Sequence, residues 1–118
     1  RVRDSKAPVH SWNQFSPPTA GAEEVVYLHE LNKENGNQAS YGLRNNGLGF
    51  GVKVVWNCHE LPYLTQWKMM GQGEYVLGLE PGNCYPLGRV HEMENHRMDL
   101  LQSFEEKNFN LSVELFDI

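Results

Sequence analysis

The sequence has few cysteines, few basic residues and no long apolar run, and each shortage excludes a class of protein. Cys58 and Cys84 are too few for the disulfide framework of a small secreted domain, so two reduced thiols are predicted. Ten basic residues against fifteen acidic ones give a net charge of −5, which disfavours nucleic acid and anionic membranes as partners. No run approaches the ~20 apolar residues that a membrane helix needs. We therefore expect a cytoplasmic protein.

Two stretches of the chain lack a clear pattern. The first twenty residues have no start signal for a helix or strand, and Pro8, Pro17 and Pro18 mark them as an irregular crossing segment. The stretch between Arg89 and Glu106 is compatible with a short helix or with a loop, and we favour the loop. The 118 residues correspond to one domain, and the opening RVRDSKAPVHSW, without Met, is typical of part of a longer protein.

Elsewhere, apolar and polar residues alternate with the period of β-strands. In VVYLHEL, Val25, Tyr27 and His29 share one face. The connections NKENGNQ, NNGLG and GQG carry the Asn and Gly that tight turns require, so the run 39–45 is predicted to pair back on the run before it. Six runs have this character: 25–31, 39–45, 50–58, 65–70, 74–80 and 109–118. They predict an all-β fold of antiparallel sheets.

Three short motifs suggest cofactors or metals but fit simpler structures better. GLGFG at 47–51 is followed by the β-branched VKVV rather than by a helix, so it predicts a hairpin turn and not a dinucleotide site. HEMENH at 91–96 has its second His at the wrong offset for a zinc-protease helix. Cys58 and His59 lack a companion pair of ligands. We therefore predict no cofactor and no metal.

Glu80 is an ionisable group in a run that is otherwise apolar. Alternation in EYVLGLE places it on one face with Gly78, which leaves open space beside the carboxylate. Burial there would raise its pKa towards a value suited to a general base. Alternatively, Glu80 pairs with Arg89 or Lys68. The Pro81–Gly82 dipeptide is predicted to end the strand just after it.

A resemblance favours the first of these interpretations. The stretch LPYLTQWKMMGQGEYVLGLEPGNCYPLGR, from Leu61 to Arg89, resembles the C-terminal signature of the bacterial aldose 1-epimerase-like (galactose mutarotase-like) proteins, in their branch of unknown function. The upstream stretches EEVVYLHE and LGFGVKVVW resemble the same family more weakly. The resemblance implies an antiparallel β-sandwich of the galactose mutarotase-like type, with residues 1–118 as a C-terminal part of that single domain.

The resemblance also implies a chemistry. Mutarotases open a pyranose ring with a glutamate that takes the proton of the anomeric hydroxyl and a histidine that protonates the ring oxygen, and Glu80 matches that glutamate. The histidine belongs to an N-terminal half of the family domain. None of the five histidines of this chain matches its motif: His10, His29, His59, His91 and His96. We therefore expect a cofactor-independent isomerase when the protein is intact, and an inactive chain in isolation.

Further residues are predicted to contact the sugar. Gln66 and Lys68 share one strand face, and Trp67 lies on the other. A cleft on the first face would leave Trp67 in the core, whereas a cleft on the second would let it stack on the sugar. Asn83 and Arg89 follow Glu80 in the chain and are expected at the rim of the cleft, with His29 either in the cleft or in the core.

Three functions remain open at this point. The intact protein is an epimerase of a free sugar, or a carbohydrate-binding module without turnover, since a fold does not fix a function. Alternatively, the chain is a structural half that pairs with its N-terminal portion. An exposed sheet edge would then promote self-association.

Overall fold

The chain folds into two antiparallel sheets, as predicted. The computed structural model describes residues 2–3, 7–32 and 36–118. The strands are Val2–Arg3 (β1), Val25–His29 (β2), Gln38–Asn45 (β3), Phe50–Asn57 (β4), Tyr63–Met70 (β5), Tyr75–Gly82 (β6) and Leu111–Asp117 (β7). The first sheet has the strand order β1-β2-β5-β6, and the second has the order β3-β4-β7. All six predicted runs are strands, and β1 adds a short one near the start of the chain.

Two hairpins form where Gly and Asn predicted them. In the β3–β4 hairpin the Asn45 side-chain oxygen accepts hydrogen bonds from the backbone N–H of Gly47 at 3.0 Å and of Leu48 at 3.1 Å. Gly49 closes this turn at a φ of 75°, which favours glycine. The GQG segment joins β5 to β6 in the same way, with Gly73 at a φ of 89°. The hairpin interpretation of GLGFG is therefore confirmed.

The predicted pairing of 39–45 with 25–31 is wrong. β2 pairs with β1 and β5 in the first sheet, whereas β3 pairs with β4 in the second. The physical reason is the length of the connection from His29 to Gln38, which is too long for a tight hairpin and lets the chain cross to another sheet. The turn predicted within NKENGNQ includes residues 33–35, which lie outside the described residues.

The prediction that Pro81–Gly82 ends the strand after Glu80 is also wrong. β6 continues through both residues, with Pro81 opposite Leu64 and Gly82 opposite Tyr63. Proline is tolerated there because β6 is an edge strand, so the missing N–H costs no bond within the sheet. Glu80 therefore lies inside a paired strand, not at its end.

The stretch after Arg89 begins with a short helix rather than a loop. Residues Arg89–Glu94 form α1, and the chain from 95 to 110 has no regular structure. The helix is fixed by Glu92, which is only 1% exposed. Its carboxylate accepts hydrogen bonds from the Tyr85 backbone N–H at 3.0 Å and from the Arg97 guanidinium at 2.7 and 2.8 Å. These tertiary contacts could not be read from the local sequence pattern.

The predicted irregular segment near the start crosses one face of the first sheet. It contains a single turn of 3₁₀-helix at Val9–Ser11 and is tied to β5, where the Thr19 N–H donates to the Met70 carbonyl at 3.0 Å. A core cluster between the sheets contains Trp56, Leu61 and Leu64. Both cysteines are free thiols. No helix in the described ranges is long and apolar enough to cross a membrane.

Candidate functional site

Glu80 lies on the same sheet face as Thr65 and Trp67 of β5 and Gly78 of β6. In the β5–β6 register it is opposite Thr65, and Gly78 is opposite Trp67. Directly paired residues point to the same side of a sheet. We call this side, defined by Thr65, Trp67, Gly78 and Glu80, the glutamate face. The face assignment made from the alternation of EYVLGLE is therefore confirmed.

The space above Gly78 is occupied by the carboxylate of Glu80 itself. A Cβ atom built on Gly78 would collide with Glu80 Oε1 and would lie 3.3 Å from Trp67 Cβ. The missing side chain at position 78 thus allows the carboxylate to lie back across its own strand towards Trp67. Glu80 nevertheless remains exposed to solvent.

A depression of about 190 Å³ surrounds this carboxylate on the glutamate face. Its lining residues come from four strands and two flanking segments: Arg3, Glu24, Val26, Thr65, Trp67, Glu80 and Pro86. The polar ones among them are interlinked. The Trp67 indole N–H donates to Glu24 Oε2 at 2.7 Å, and the other Glu24 oxygen lies 3.6 Å from the Arg3 guanidinium. Arg3 also donates to the Pro86 carbonyl at 3.4 Å.

Gln66 and Lys68 lie on the opposite side of the same sheet, which we call the glutamine face. Their neighbours in the register are Tyr27 and Val25 on β2, and Leu79 and Leu77 on β6. This side looks towards the second sheet, because Tyr41 on β3 donates its hydroxyl to Gln66 Oε1 at 2.9 Å. A ligand beside Glu80 therefore cannot touch Gln66 or Lys68.

Gln66 is fully buried, and both the nitrogen and the oxygen of its side-chain amide have hydrogen-bond partners. Its Nε2 donates to the Trp12 carbonyl at 2.8 Å, and its Oε1 lies 2.9 Å from His29 Nε2. Because Oε1 can only accept, the His29 proton must be on Nε2. Burial is the main reason that the pKa of His29 is lowered, and the bond to Gln66 opposes this effect. Burial also raises the pKa of Tyr41 to about 12, so its hydroxyl remains a donor.

Lys68 is 3% exposed and binds the irregular segment near the start of the chain. Its ammonium donates to the backbone carbonyls of Ser11 and Gln14, and it lies 4.9 Å from the centre of the Phe15 ring and 5.5 Å from that of Tyr27. Burial lowers the pKa of this amine. Lys68 therefore holds the crossing segment on the glutamine face and cannot be an ion partner of Glu80.

Asn83 and Arg89 do not line the depression around Glu80. Arg89 is the exposed first residue of α1. The segment between these two residues contributes Pro86 instead, and it is held over the sheet by Tyr85, whose hydroxyl donates to the His29 carbonyl at 2.7 Å. This placement depends on the buried contacts of Glu92 described above.

The comparisons with known proteins show the family of the chain. The family model described as "Domain of unknown function (DUF4432)" matches residues 1–115. The chain belongs to the DUF4432 family. No curated protein matches it.

Among solved structures, this DUF4432 chain is similar to one from Klebsiella pneumoniae subsp. pneumoniae that is provisionally described as an aldose 1-epimerase. The TM-score is 0.82 at 26% sequence identity, and the match covers 91% of this chain. The predicted resemblance and the predicted β-sandwich of the aldose 1-epimerase type are thereby confirmed. The DUF4432 chain spans 28% of the length of the Klebsiella protein.

Arg3, Glu24 and Thr65 were missed as site residues. Thr65 could have been found by pairing the two runs across the GQG turn, because the register then places it opposite Glu80. Arg3 and Glu24 come from parts of the chain whose position depends on tertiary packing, and no local pattern marks them. Together with Glu80 and Trp67, they give this site of the DUF4432 chain two carboxylates, a guanidinium and an indole.

Proposed function

We propose that this chain supplies the general base of a sugar site of the aldose 1-epimerase type, with Glu80 as the base. One observation carries the proposal: Glu80 lies over Gly78 in a depression lined by Trp67, in a fold that matches a protein described as an aldose 1-epimerase. The exposed carboxylate is open to a ligand from the solvent side.

The proposed reaction moves two protons and breaks one ring bond. Glu80 takes the proton of the anomeric hydroxyl, the electron pair of that O–H bond forms the carbonyl, and the bond from the anomeric carbon to the ring oxygen breaks. An acid gives a proton to the ring oxygen in the same step. Rotation about the bond between the carbonyl carbon and its neighbouring carbon turns the other face of the carbonyl to the hydroxyl that closes the ring. Reversal of both proton transfers then gives the other anomer, so no oxidant or cofactor is consumed.

The other residues of the depression would orient the sugar. The Trp67 ring would pack on the apolar face of a pyranose, and its bond to Glu24 fixes the plane of the indole. Arg3 donates hydrogen bonds and would bind sugar oxygens, including one that gains negative charge as the ring opens. Thr65, opposite Glu80 in the sheet, would place a hydroxyl on the same side of the ligand.

The site in this chain is a part of what the reaction needs. The depression of about 190 Å³ is smaller than the ~300–1,000 Å³ of typical ligand sites, and none of its described lining residues is a histidine. The chain also spans 28% of the similar Klebsiella protein. We therefore propose that the acid and the remaining walls come from the larger domain.

The test is anomer exchange by the full-length natural protein, followed by NMR for several aldoses. Glu80→Gln should lower the rate by a factor of about 10²–10⁴, because the amide cannot take the proton. The matched control is Glu74→Gln, since Glu74 is an exposed carboxylate in the turn that precedes the same strand. Equal rates for the natural protein and Glu80→Gln would overturn the assignment of the base.

A binding module without turnover is the second candidate, and the lack of an imidazole among the described lining residues favours it. In that case sugars would shift the NMR signals of Trp67 in the full-length protein, with exchange no faster than in buffer. Binding would then be lost in Trp67→Ala and kept in Glu80→Gln. In an epimerase, the rate of anomer exchange would instead fall more in Glu80→Gln than in Trp67→Ala.

A further inference from the structure

A larger groove lies on the second sheet, away from Glu80. It has a volume of about 540 Å³, within the range of ~300–1,000 Å³ that is typical of small-molecule sites. It forms where β3 begins, β4 ends and β7 begins, because antiparallel order brings these three strand ends together. The lining residues are Asn37, Gln38, Val55, Trp56, Asn57, Glu60, Asn110, Leu111 and Ser112.

The walls of this groove are cross-linked by hydrogen bonds. Glu60 Oε2 accepts from the Asn110 backbone N–H at 2.7 Å, and Glu60 Oε1 accepts from the Asn57 side chain at 3.3 Å. The Asn37 carbonyl accepts from the Cys58 N–H at 2.7 Å. Three separate segments are thus held together before any ligand arrives, which reduces the entropy lost on binding.

Several polar groups in the groove are left for a ligand. Within the described part of the chain, the side chains of Asn37, Gln38 and Ser112 make no hydrogen bond, and all three residues are exposed. Amide side chains offer donors and acceptors together, which is what neighbouring hydroxyl groups of a sugar require. Val55 and Leu111 add apolar side chains to the lining.

The charge of the lining selects against anions. Among the described residues, neither lysine nor arginine lines the groove, and the charged residue there is Glu60, whose oxygens are already bonded. A phosphate bound to these described residues would therefore meet a carboxylate with no compensating cation. A neutral ligand with many hydroxyl groups meets no such penalty.

We propose that this groove is a second binding site, specific for a neutral polyhydroxylated ligand such as a pyranose sugar. It is separate from the Glu80 site, because the glutamate face points away from the second sheet and the groove is built on that sheet. The proposal does not depend on catalysis by Glu80. A protein with both sites would hold two sugar rings at once, one beside Glu80 and one in this groove.

The test is an NMR titration of the ¹⁵N-labelled full-length natural protein with D-galactose, D-glucose and inorganic phosphate. We expect either sugar to shift the side-chain amide signals of Asn37, Gln38 and Asn110. The shifts should saturate at millimolar sugar concentrations, which corresponds to a binding free energy of ~4 kcal/mol. Phosphate should shift none of them. The double variant Gln38→Ala and Ser112→Ala, at two exposed positions, should weaken binding at least about tenfold.

The matched control is Asn46→Ala, an exposed amide in the turn at the opposite end of the same sheet. It should leave the affinity for sugar unchanged. The proposal is overturned if the three amides do not respond to either sugar, if phosphate shifts them equally, or if the double variant binds as well as Asn46→Ala. Repeating the titration with Glu80→Gln separates the two sites, because loss of the base should leave these signals and their saturation unchanged.

Discussion

The two faces of the first sheet carry similar residue types and use them in opposite ways. On the glutamine face, Gln66 is 0% and Lys68 is 3% exposed, and the amide and the ammonium both bind other parts of the chain. On the glutamate face, Glu80 is exposed, and the depression around it is open to solvent. The strands β5 and β6 alternate between these two environments from one residue to the next.

A polar side chain in a strand can be interpreted from its burial and from the position of its partners. A buried polar group whose partners lie within the chain stabilises the fold, because leaving those partners unpaired would cost free energy. An exposed carboxylate that borders a depression contributes little to stability and is available to a ligand. Gln66 belongs to the first class and Glu80 to the second.

The largest expected effect comes from removing the amide on the glutamine face. Gln66→Leu would leave the Trp12 carbonyl, the Tyr41 hydroxyl and the His29 N–H without their partner. At roughly 1 kcal/mol for each of these three partly buried groups that loses its partner, we expect a loss of about 3 kcal/mol in the free energy of unfolding. Urea unfolding followed by circular dichroism measures it.

The control for this prediction lies on the other face. Glu80→Gln should change the free energy of unfolding by less than about 0.5 kcal/mol, as is usual for exposed positions. If both variants lose the same stability, the contrast between the faces is not real. A stable Gln66→Leu variant would show that the buried amide contributes nothing to the fold.

Substituting the glycine beneath Glu80 has a smaller effect, and on activity rather than on stability. Gly78→Ala places a methyl group where the carboxylate lies and 3.3 Å from Trp67 Cβ, so Glu80 must move. Displacement of a catalytic group by about 1 Å can cost as much as 10²-fold in rate. We expect a ten- to hundredfold slower anomer exchange by the full-length protein, on the order of 1.4–2.7 kcal/mol in the barrier.

A double variant shows whether Gly78 acts through Glu80. If it does, Gly78→Ala should reduce the rate of the natural protein but add nothing to the loss caused by Glu80→Gln. Additive losses would instead mean that position 78 affects the sugar or the sheet directly. Unfolding curves of the same proteins should coincide within about 0.5 kcal/mol.

The fold and the face of Glu80 could be predicted from the sequence, because both depend on local patterns. Period-2 alternation located the strands, and Asn and Gly located the hairpins, since both signals arise within a few residues. Family resemblance then selected Glu80 among the carboxylates. The pairing of β2 with β5 could not be predicted in this way, because their partnership is set by packing across a long stretch of chain.

The surroundings of Glu80 were harder to predict for the same reason. Gln66 and Lys68 were predicted to contact the sugar if the cleft lay on their strand face, and the register of one hairpin places Glu80 on the other face. Arg3 and Glu24 reach the depression from distant parts of the chain. The helix α1 depends on the buried bonds of Glu92, a residue that looks like part of a solvated polar stretch.

The smallest expected effect is a pH dependence that originates on the glutamine face. Burial lowers the pKa of His29 in the folded chain, whereas in the unfolded chain an imidazole titrates near 6.5. As the pH falls below about 6.5, the unfolded state therefore takes up the proton more readily, and stability decreases until the pH passes the folded pKa. Urea midpoints measured between about pH 7.5 and pH 5 should show this decrease in stability as a slope against pH.

The variant His29→Gln should flatten the slope, and His59→Gln, at an exposed position, should not. An unchanged slope in His29→Gln would mean that the half-buried imidazole on the glutamine face does not couple to folding.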